Sequence, residues 1–351
     1  MTINKDSAAF AAGQRLMAGF DGTDLNGDLR LLIDTLHVGG IILFSRNLGA
    51  PDEIAALCRD AQAYAADCGL PPLFIAIDQE GGRVARLKEP FTRFPGNPAI
   101  KDFQAATQFA AITAGELINT GINMNIAPVL DVADTIGNSI MAERVFPGAP
   151  ETVAYLGVTV IRGMQDRGVM AVGKHFPGIG RTTTDSHIDR PILKTDTETL
   201  LKTDIIPFQS AIAKDVAGLM LSHIIYTGLD RQWPASLSVD IARTLLRDQM
   251  GFSGLVLTDD LDMGAIKNHY SITTVINRIM AADIDIALIC HKGPDRETAF
   301  EEMARHIRSA PAQRARSNAA LNRILALKTR YLNYSLSAKT PQSGVSRFQG
   351  T

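Results

Sequence analysis

This chain of 351 residues is sparing with cysteine, with excess charge and with long apolar runs. Its three cysteines, Cys58, Cys68 and Cys290, are odd in number and lack the clustering of a zinc site. They read as core or surface thiols of a reducing compartment and imply no disulfide framework. Lysine and arginine total 35 against 37 acidic residues, a net charge of -2, which excludes the one-signed field that a nucleic-acid partner requires. No apolar stretch reaches membrane-spanning length, and Met1 to Gly13 lacks the basic start and apolar run of a signal peptide, so the expectation is a cytoplasmic protein without a membrane partner. Two motifs are also missing. No glycine-rich phosphate turn follows Leu16–Phe20 or Ile41–Phe44, which argues against a doubly wound dinucleotide fold. No His-x-His pair occurs anywhere, which argues against the barrel hydrolases that open their metal site with one.

What is present is a rhythm. Short β-rich apolar runs recur at Leu16–Phe20, Ile41–Phe44, Leu73–Ile77, Met124–Leu130, Val169–Val172, Leu219–Leu221, Leu255–Leu257 and Ile284–Ile289. Between most of them lie segments of helical period, as in Pro51–Ala66, where Ile54, Leu57, Cys58 and Ala61 share a face. Further helices are expected over Thr107–Asn119, Glu151–Arg167, Ser238–Met250 and Thr273–Ala282. Strands apolar throughout and separated by helices predict a parallel sheet buried on both faces. Eight such units predict an α/β fold, a single (β/α)8 barrel of the TIM type. After Cys290 the chain reads as a helical C-terminal extension, with Pro311 between two helices and Leu321, Ile324, Leu325 and Leu332 spaced to pack back on the body. One domain is therefore expected over residues 1–334, followed by a mobile, polar tail over 335–351.

In such a barrel the residues after each strand form one mouth. Here those positions carry Asp78 and Glu80, with Arg83 and Arg86, then Asp131, Lys174, His175, His223 and the pair Asp259-Asp260. Unpaired buried ions cost several kcal/mol each as a rough scale, so these groups must face solvent, one another or a ligand. For each alone an ion pair that closes the barrel serves as well as catalysis, and it is the convergence from five strands that favours a site. The richest stretch runs from Lys174-His175-Phe176-Pro177-Gly178-Ile179-Gly180 to Asp185-Ser186-His187. On a loop Asp185 can fold back and orient the His187 ring, the alternative being a capped turn with incidental polar residues. Two chemistries fit the inventory. One is a metal hydrolase with Lys174, His175, His223 and Asp259 as ligands; the other is glycosyl transfer, with one carboxylate as nucleophile and a separate acid.

Four motifs then bear together. Lys174-His175-Phe176-Pro177-Gly178 with Asp185-Ser186-His187, Asp78-Gln79-Glu80-Gly81-Gly82-Arg83, Ala127-Pro128-Val129-Leu130-Asp131 and Thr258-Asp259-Asp260-Leu261 closely resemble glycoside hydrolase family 3, in its single-barrel β-N-acetylhexosaminidase branch. The resemblance runs in order from about Leu16 to Cys290. It implies a retaining exo-β-N-acetylglucosaminidase that works without metal or other cofactor on peptidoglycan fragments in cell-wall recycling, as a monomer. It implies Asp259 as the nucleophile and His187 as the acid/base, held by Asp185. It implies Asp78 on sugar hydroxyls, and Arg86, Arg144, Lys174 and His175 on hydroxyls and the acetamido group. Two departures stand out: Gly178-Ile179-Gly180 where the family commonly has Gly-His-Gly, and Ala142 before Glu143-Arg144 where it often has glycine. The resemblance leaves open another sugar preference, phosphorolysis in place of hydrolysis, and a silent barrel that only binds muropeptides.

Overall fold

The computed structural model describes residues 7–133, 139–183, 186 and 190–334. The expected tail over 335–351 lies outside the described residues. Each of the eight apolar runs contributes one strand: β1 Leu16–Ala18, β2 Gly40–Leu43, β3 Phe74–Ile77, β4 Met124–Asn125, β5 Met170–Phe176, β6 Gly218–Leu221, β7 Leu255–Asp260 and β8 Ile286–Ile289. All pair in parallel with their neighbours in chain order. The barrel closes where Leu16 of β1 lies opposite Ala287 of β8.

Strand bounds depart furthest from the sequence expectation at three places. β4 stops at Asn125 because Pro128, four residues after Met124, has no N–H to give a ladder, and only an isolated bridge from Val129 to Lys174 continues the pairing. β5 runs on to Phe176 and β7 to Asp260, so Lys174, His175, Asp259 and Asp260 stand within strands, not beyond them. Both strands shift register there, between Lys174 and Phe176 against β6 and between Leu257 and Asp260 against β8. A bulge of this kind re-aims side chains at a barrel rim.

Strand alternation divides the core in two. Met17, Ile42, Phe74, Ala76, Met124, Met170, Val172, Met220, Leu255, Leu257, Ile286 and Leu288 point inward and form one buried cluster. Their neighbours, such as Ile41, Ile75, Ile77, Ala171, Leu219, Val256 and Ile289, point outward and pack with the helices. The helix Pro51–Asp67 illustrates the shell: proline sits in its first turn, the Glu53 carboxylate accepts the Ala50 N–H at 2.7 Å, and Ile54, Leu57, Cys58 and Ala61 are buried as their spacing predicts. Each large apolar side chain so buried contributes about 1.5–3 kcal/mol.

Pro311 separates the two final helices, Asp295–Ser309 and Pro311–Leu332. From the second, Ile324 and Leu327 join the inward cluster and seal the end of the barrel opposite the mouth. Lys328 lies in the same plug. Its ammonium is fully buried, sits 5.0 Å from the Phe74 ring centre and donates to Gln14 Oε1 at 2.8 Å. Burial pushes it down to about 7. No helix among the described residues is long and apolar enough to cross a membrane.

Candidate active site

The alternation that builds the inner core also aims the chemistry. In β3 Phe74 and Ala76 face inward, and Asp78 is the next position of that series; Met170 and Val172 lead likewise to Lys174, and Leu255 and Leu257 to Asp259. Three strands thus place a carboxylate, an ammonium and a second carboxylate on top of the last apolar layer.

Lys174 is the hub. Its side chain is 3% exposed, and its ammonium lies 2.7 Å from Asp78 Oδ1 and 2.6 Å from Glu80 Oε1. Glu80, equally buried, also receives Arg144 in a two-pronged contact, Nη2 to Oε1 at 2.7 Å and Nε to Oε2 at 3.0 Å. Arg86 approaches Asp78 Oδ2 at 3.5 Å, lies 5.4 Å from the Phe44 ring centre, and its Nε has no hydrogen-bond partner among the described residues. Burial works to raise both carboxyls, yet Lys174 with Arg86 holds Asp78 below its ordinary value, and Lys174 with Arg144 does the same for Glu80. Burial in turn works to lower Lys174, and the two carboxylates more than offset it. Both carboxylates are therefore held ionised, faced by the three cations Lys174, Arg86 and Arg144.

A short antiparallel hairpin, Gln79–Gly81 with Val84–Ala85, carries Glu80 into this cluster. Asn125 at the end of β4 accepts the Gln79 N–H at 3.0 Å and donates to the Gln79 carbonyl at 3.1 Å. The Gln79 side chain then accepts the N–H groups of Arg86 and Leu87 at 2.9 and 3.1 Å. Two amides thus set the positions of Glu80 and Arg86.

The second half of the mouth is built around imidazoles. His175 Nδ1 lies 2.7 Å from Asp131 Oδ2, and the other oxygen of Asp131 accepts the Ile179 N–H at 2.8 Å. It is the backbone of residue 179 that serves this contact, while the Ile179 side chain is buried in the outer core. The loop can pass so close because Gly178 adopts φ 127° and because a Cβ at Gly180 would stand 2.0 Å from the Val132 carbonyl oxygen. His223 donates from Nε2 to the Asp260 carbonyl at 2.8 Å, with Nδ1 2.7 Å from Ser236 Oγ. Burial works to raise the Asp259 carboxyl, but His223, His175, the Asp260 N–H and Lys174 hold it below its ordinary value. Asp259 makes no ion pair among the described residues; its Oδ1 accepts the Asp260 N–H at 2.8 Å.

Asp78, Arg86, Arg144, Lys174, His175 and Asp259 are thus brought to one mouth, whereas Asp185 and His187 lie outside the described residues. The residues beside them are anchored: the Ser186 carbonyl accepts the Ala265 N–H at 3.1 Å, and Arg190 donates to the Tyr270 hydroxyl at 2.7 Å. Both anchors belong to the segment that follows β7. The metal reading of Lys174, His175, His223 and Asp259 does not survive the geometry, because the Lys174 ammonium is bound to two carboxylates and both His223 nitrogens are engaged. Glu80, Asn125 and Gln79 were not assigned roles by sequence reasoning. Its position beside Asp78 places Glu80 at the mouth, but without a role.

The family model described as glycosyl hydrolase family 3 N terminal domain matches residues 13–327. A β-hexosaminidase of Thiobacillus denitrificans is 37% identical over 285 residues, covering 79% of this chain and 78% of the relative. A β-hexosaminidase of Pseudomonas aeruginosa is 35% identical over 294 residues, covering 83% of this chain and 86% of the relative. Among solved structures, a family 3 β-N-acetylglucosaminidase from a Paenibacillus species superposes with TM-score 0.89 at 38% identity, covering 96% of this chain. This chain spans 65% of that longer protein. NagZ of Neisseria gonorrhoeae, solved with N-trifluoroacetyl-D-glucosamine, gives TM-score 0.71 at 28% identity, covering 88% of this chain and 98% of that one.

Proposed function

The chain belongs to glycosyl hydrolase family 3, and on that premise we propose that this glycoside hydrolase is a retaining exo-β-N-acetylglucosaminidase with Asp259 as its nucleophile. One observation carries the assignment. Asp78 and Glu80 are neutralised by Lys174, Arg86 and Arg144, whereas Asp259 is held ionised by burial-opposing imidazoles and makes no ion pair among the described residues. Its second oxygen accepts no hydrogen bond among the described residues, which suits it to attack.

In the first step an Asp259 oxygen forms a bond to the anomeric carbon as the bond to the leaving oxygen breaks, and His187 gives that oxygen its proton. In the second, His187 takes a proton from water, whose oxygen displaces Asp259 with overall retention. The anchoring of Ser186 and Arg190 to the segment after β7 supports His187 as that acid and base, with Asp185 orienting it. An imidazole titrates near neutrality and adds no second negative charge beside the nucleophile. Asp78 with Lys174, Arg86, Arg144 and His175 would hold the hydroxyls and the acetamido group, since paired ions lend hydrogen bonds to a sugar without leaving a bare charge behind. The relatives named as β-hexosaminidases support this sugar, and peptidoglycan fragments met in the cytoplasm by a monomeric enzyme complete the reading.

A slowly turned-over fluorinated N-acetylglucosaminide should add one sugar mass to Asp259, located by peptide mass spectrometry. Labelling at Asp260, or no labelling while substrate is consumed, refutes the assignment. A rate comparison of aryl β-N-acetylglucosaminide with aryl β-glucoside, with and without phosphate and chelator, tests the sugar and the acceptor.

A further inference from the structure

Next to the proposed nucleophile, but outside the machinery assigned to it, the ends of β7 and β8 bring Asp260, Asp262 and His291 together. One donor atom from each lies within 4.8 Å of the other two. Asp260 Oδ1 accepts the N–H groups of Asp262 and Cys290 at 3.0 and 3.1 Å, which turns Oδ2 toward His291 Nδ1 at 3.8 Å. Asp262 Oδ2 accepts the His291 N–H at 2.9 Å and lies 3.4 Å from Nδ1, while Oδ1 receives Lys267 at 3.1 Å. The His291 ring is 62% exposed, yet it is held on this side by a stack on Phe44, with centroids 6.4 Å apart and planes 24° apart.

Zinc bonds to imidazole and carboxylate of about 2.0–2.2 Å place two donors of a tetrahedron roughly 3.3–3.6 Å apart. The two spacings to His291, 3.4 and 3.8 Å, meet this with movements of tenths of an ångström, and the two carboxylate donors lie within 4.8 Å of each other. The charges also call for a cation. Asp259, Asp260 and Asp262 crowd three carboxyls into four consecutive positions. Lys267 is shared between Asp262 Oδ1, the oxygen not turned to His291, at 3.1 Å and Asp295 Oδ2 at 3.8 Å. One imidazole with two carboxylates suits a borderline first-row ion better than calcium or magnesium, which prefer all-oxygen sets.

We propose that Asp260, Asp262 and His291 form a binding site for a divalent first-row cation, zinc by preference, on the rim beside Asp259. Water fills the remaining coordination positions on the exposed side of His291. The ion takes no part in the hydrolytic steps above, and the site stands whichever sugar the enzyme cleaves.

The test is a titration of the chelator-stripped full chain with cobalt(II), read by its visible d–d absorption and followed by displacement with zinc. One equivalent should bind. His291→Asn and Asp262→Asn should each weaken binding at least about tenfold, since losing a direct ligand costs no less than the 10–100-fold typical of an outer-shell partner. His187→Ala, which removes the imidazole proposed as acid and base, should leave the titration unchanged. Absence of cobalt absorption at millimolar metal, or binding that survives either ligand substitution undiminished, or its loss in His187→Ala, overturns the proposal.

Discussion

Replacing Lys174 by methionine removes one ammonium from between two carboxylates and should be the most informative single change in the mouth. The ammonium lies 2.7 Å from Asp78 and 2.6 Å from Glu80, and the side chain is 3% exposed, so little solvent screening discounts the contacts. Breaking a buried pair by deleting one partner costs about 3–5 kcal/mol. Arg144 still grips Glu80 at 2.7 Å and Arg86 stands 3.5 Å from Asp78, which favours the lower end, about 3 kcal/mol near neutral pH. The pH dependence supplies the sharper test. In the wild type both carboxyls lie below their ordinary values, so their stabilisation is intact above about pH 4.3 and is lost only as pH falls through the depressed values. In the variant one of the pair is raised instead; its penalty is full above that raised value and relaxes on acidification by about 1.4 kcal/mol per pH unit. Urea unfolding at pH 7.5 and pH 5 should show the gap between the two proteins narrowing. A loss under about 1 kcal/mol, or a gap that does not change with pH, refutes the account of Lys174 as the neutralising hub.

His187→Ala should slow a disaccharide with a poor leaving group by roughly 10²–10⁴ while sparing formation of the glycosyl-enzyme from an activated aryl glycoside, and azide should restore part of the turnover. Equal losses on both substrates without rescue reassign His187 to binding. Ile179→His should lower stability by about 1–3 kcal/mol, measured by urea unfolding, because it forces a polar ring into the outer core while leaving the Asp131 contact with the 179 N–H in place. Unchanged stability would refute the burial argument. Lys328→Met should stabilise the protein near pH 6. The wild-type lysine titrates at about 7 when folded and at about 10.4 unfolded, so wild-type stability rises with pH across that window, by up to about 1.4 kcal/mol per unit, and the variant's advantage should vanish above it. Parallel stability profiles would refute the depressed value.

The barrel was legible because its strands are apolar on both faces, and a run such as Phe74–Ile77 reads the same whether a side chain meets the inner layers or the helices. Bounds were less legible where one residue overrides a pattern. The helix expected from Thr107 begins at Phe103, capped by Asp102, whose carboxylate accepts the Ala105 N–H at 2.8 Å; the capping residue lies five positions ahead of Thr107. In the mouth, their places at the ends of apolar runs foretold that Asp78, Lys174 and Asp259 would converge. The sequence held no comparable sign that Glu80 would be shared by Lys174 and Arg144, because that contact depends on the hairpin turn, on Asn125 and on the return of Arg144 from 64 residues along the chain. His223 shows the reverse error: histidine at a strand end suggested a ligand, and the fold uses both of its nitrogens as struts.

The plug beneath the barrel bears on how such a chain can be made. Gln14, just ahead of the first strand, meets Lys328 near the end of the last helix, and Arg15 donates to the carbonyls of Ile284 and Asp285 at 2.6 and 3.3 Å. A chain leaving the ribosome from its N-terminus can pair β1 through β7 in order, but one edge of β1 stays open until β8 arrives, and the inner layer around Phe74 stays wet until Ile324 and Leu327 follow. Open edges and wet apolar layers invite pairing with other chains. Synthesis therefore holds this protein in its most vulnerable form until almost the last helix has emerged, and the catalytic mouth, for all that its residues are already made, takes shape only when the opposite end is shut.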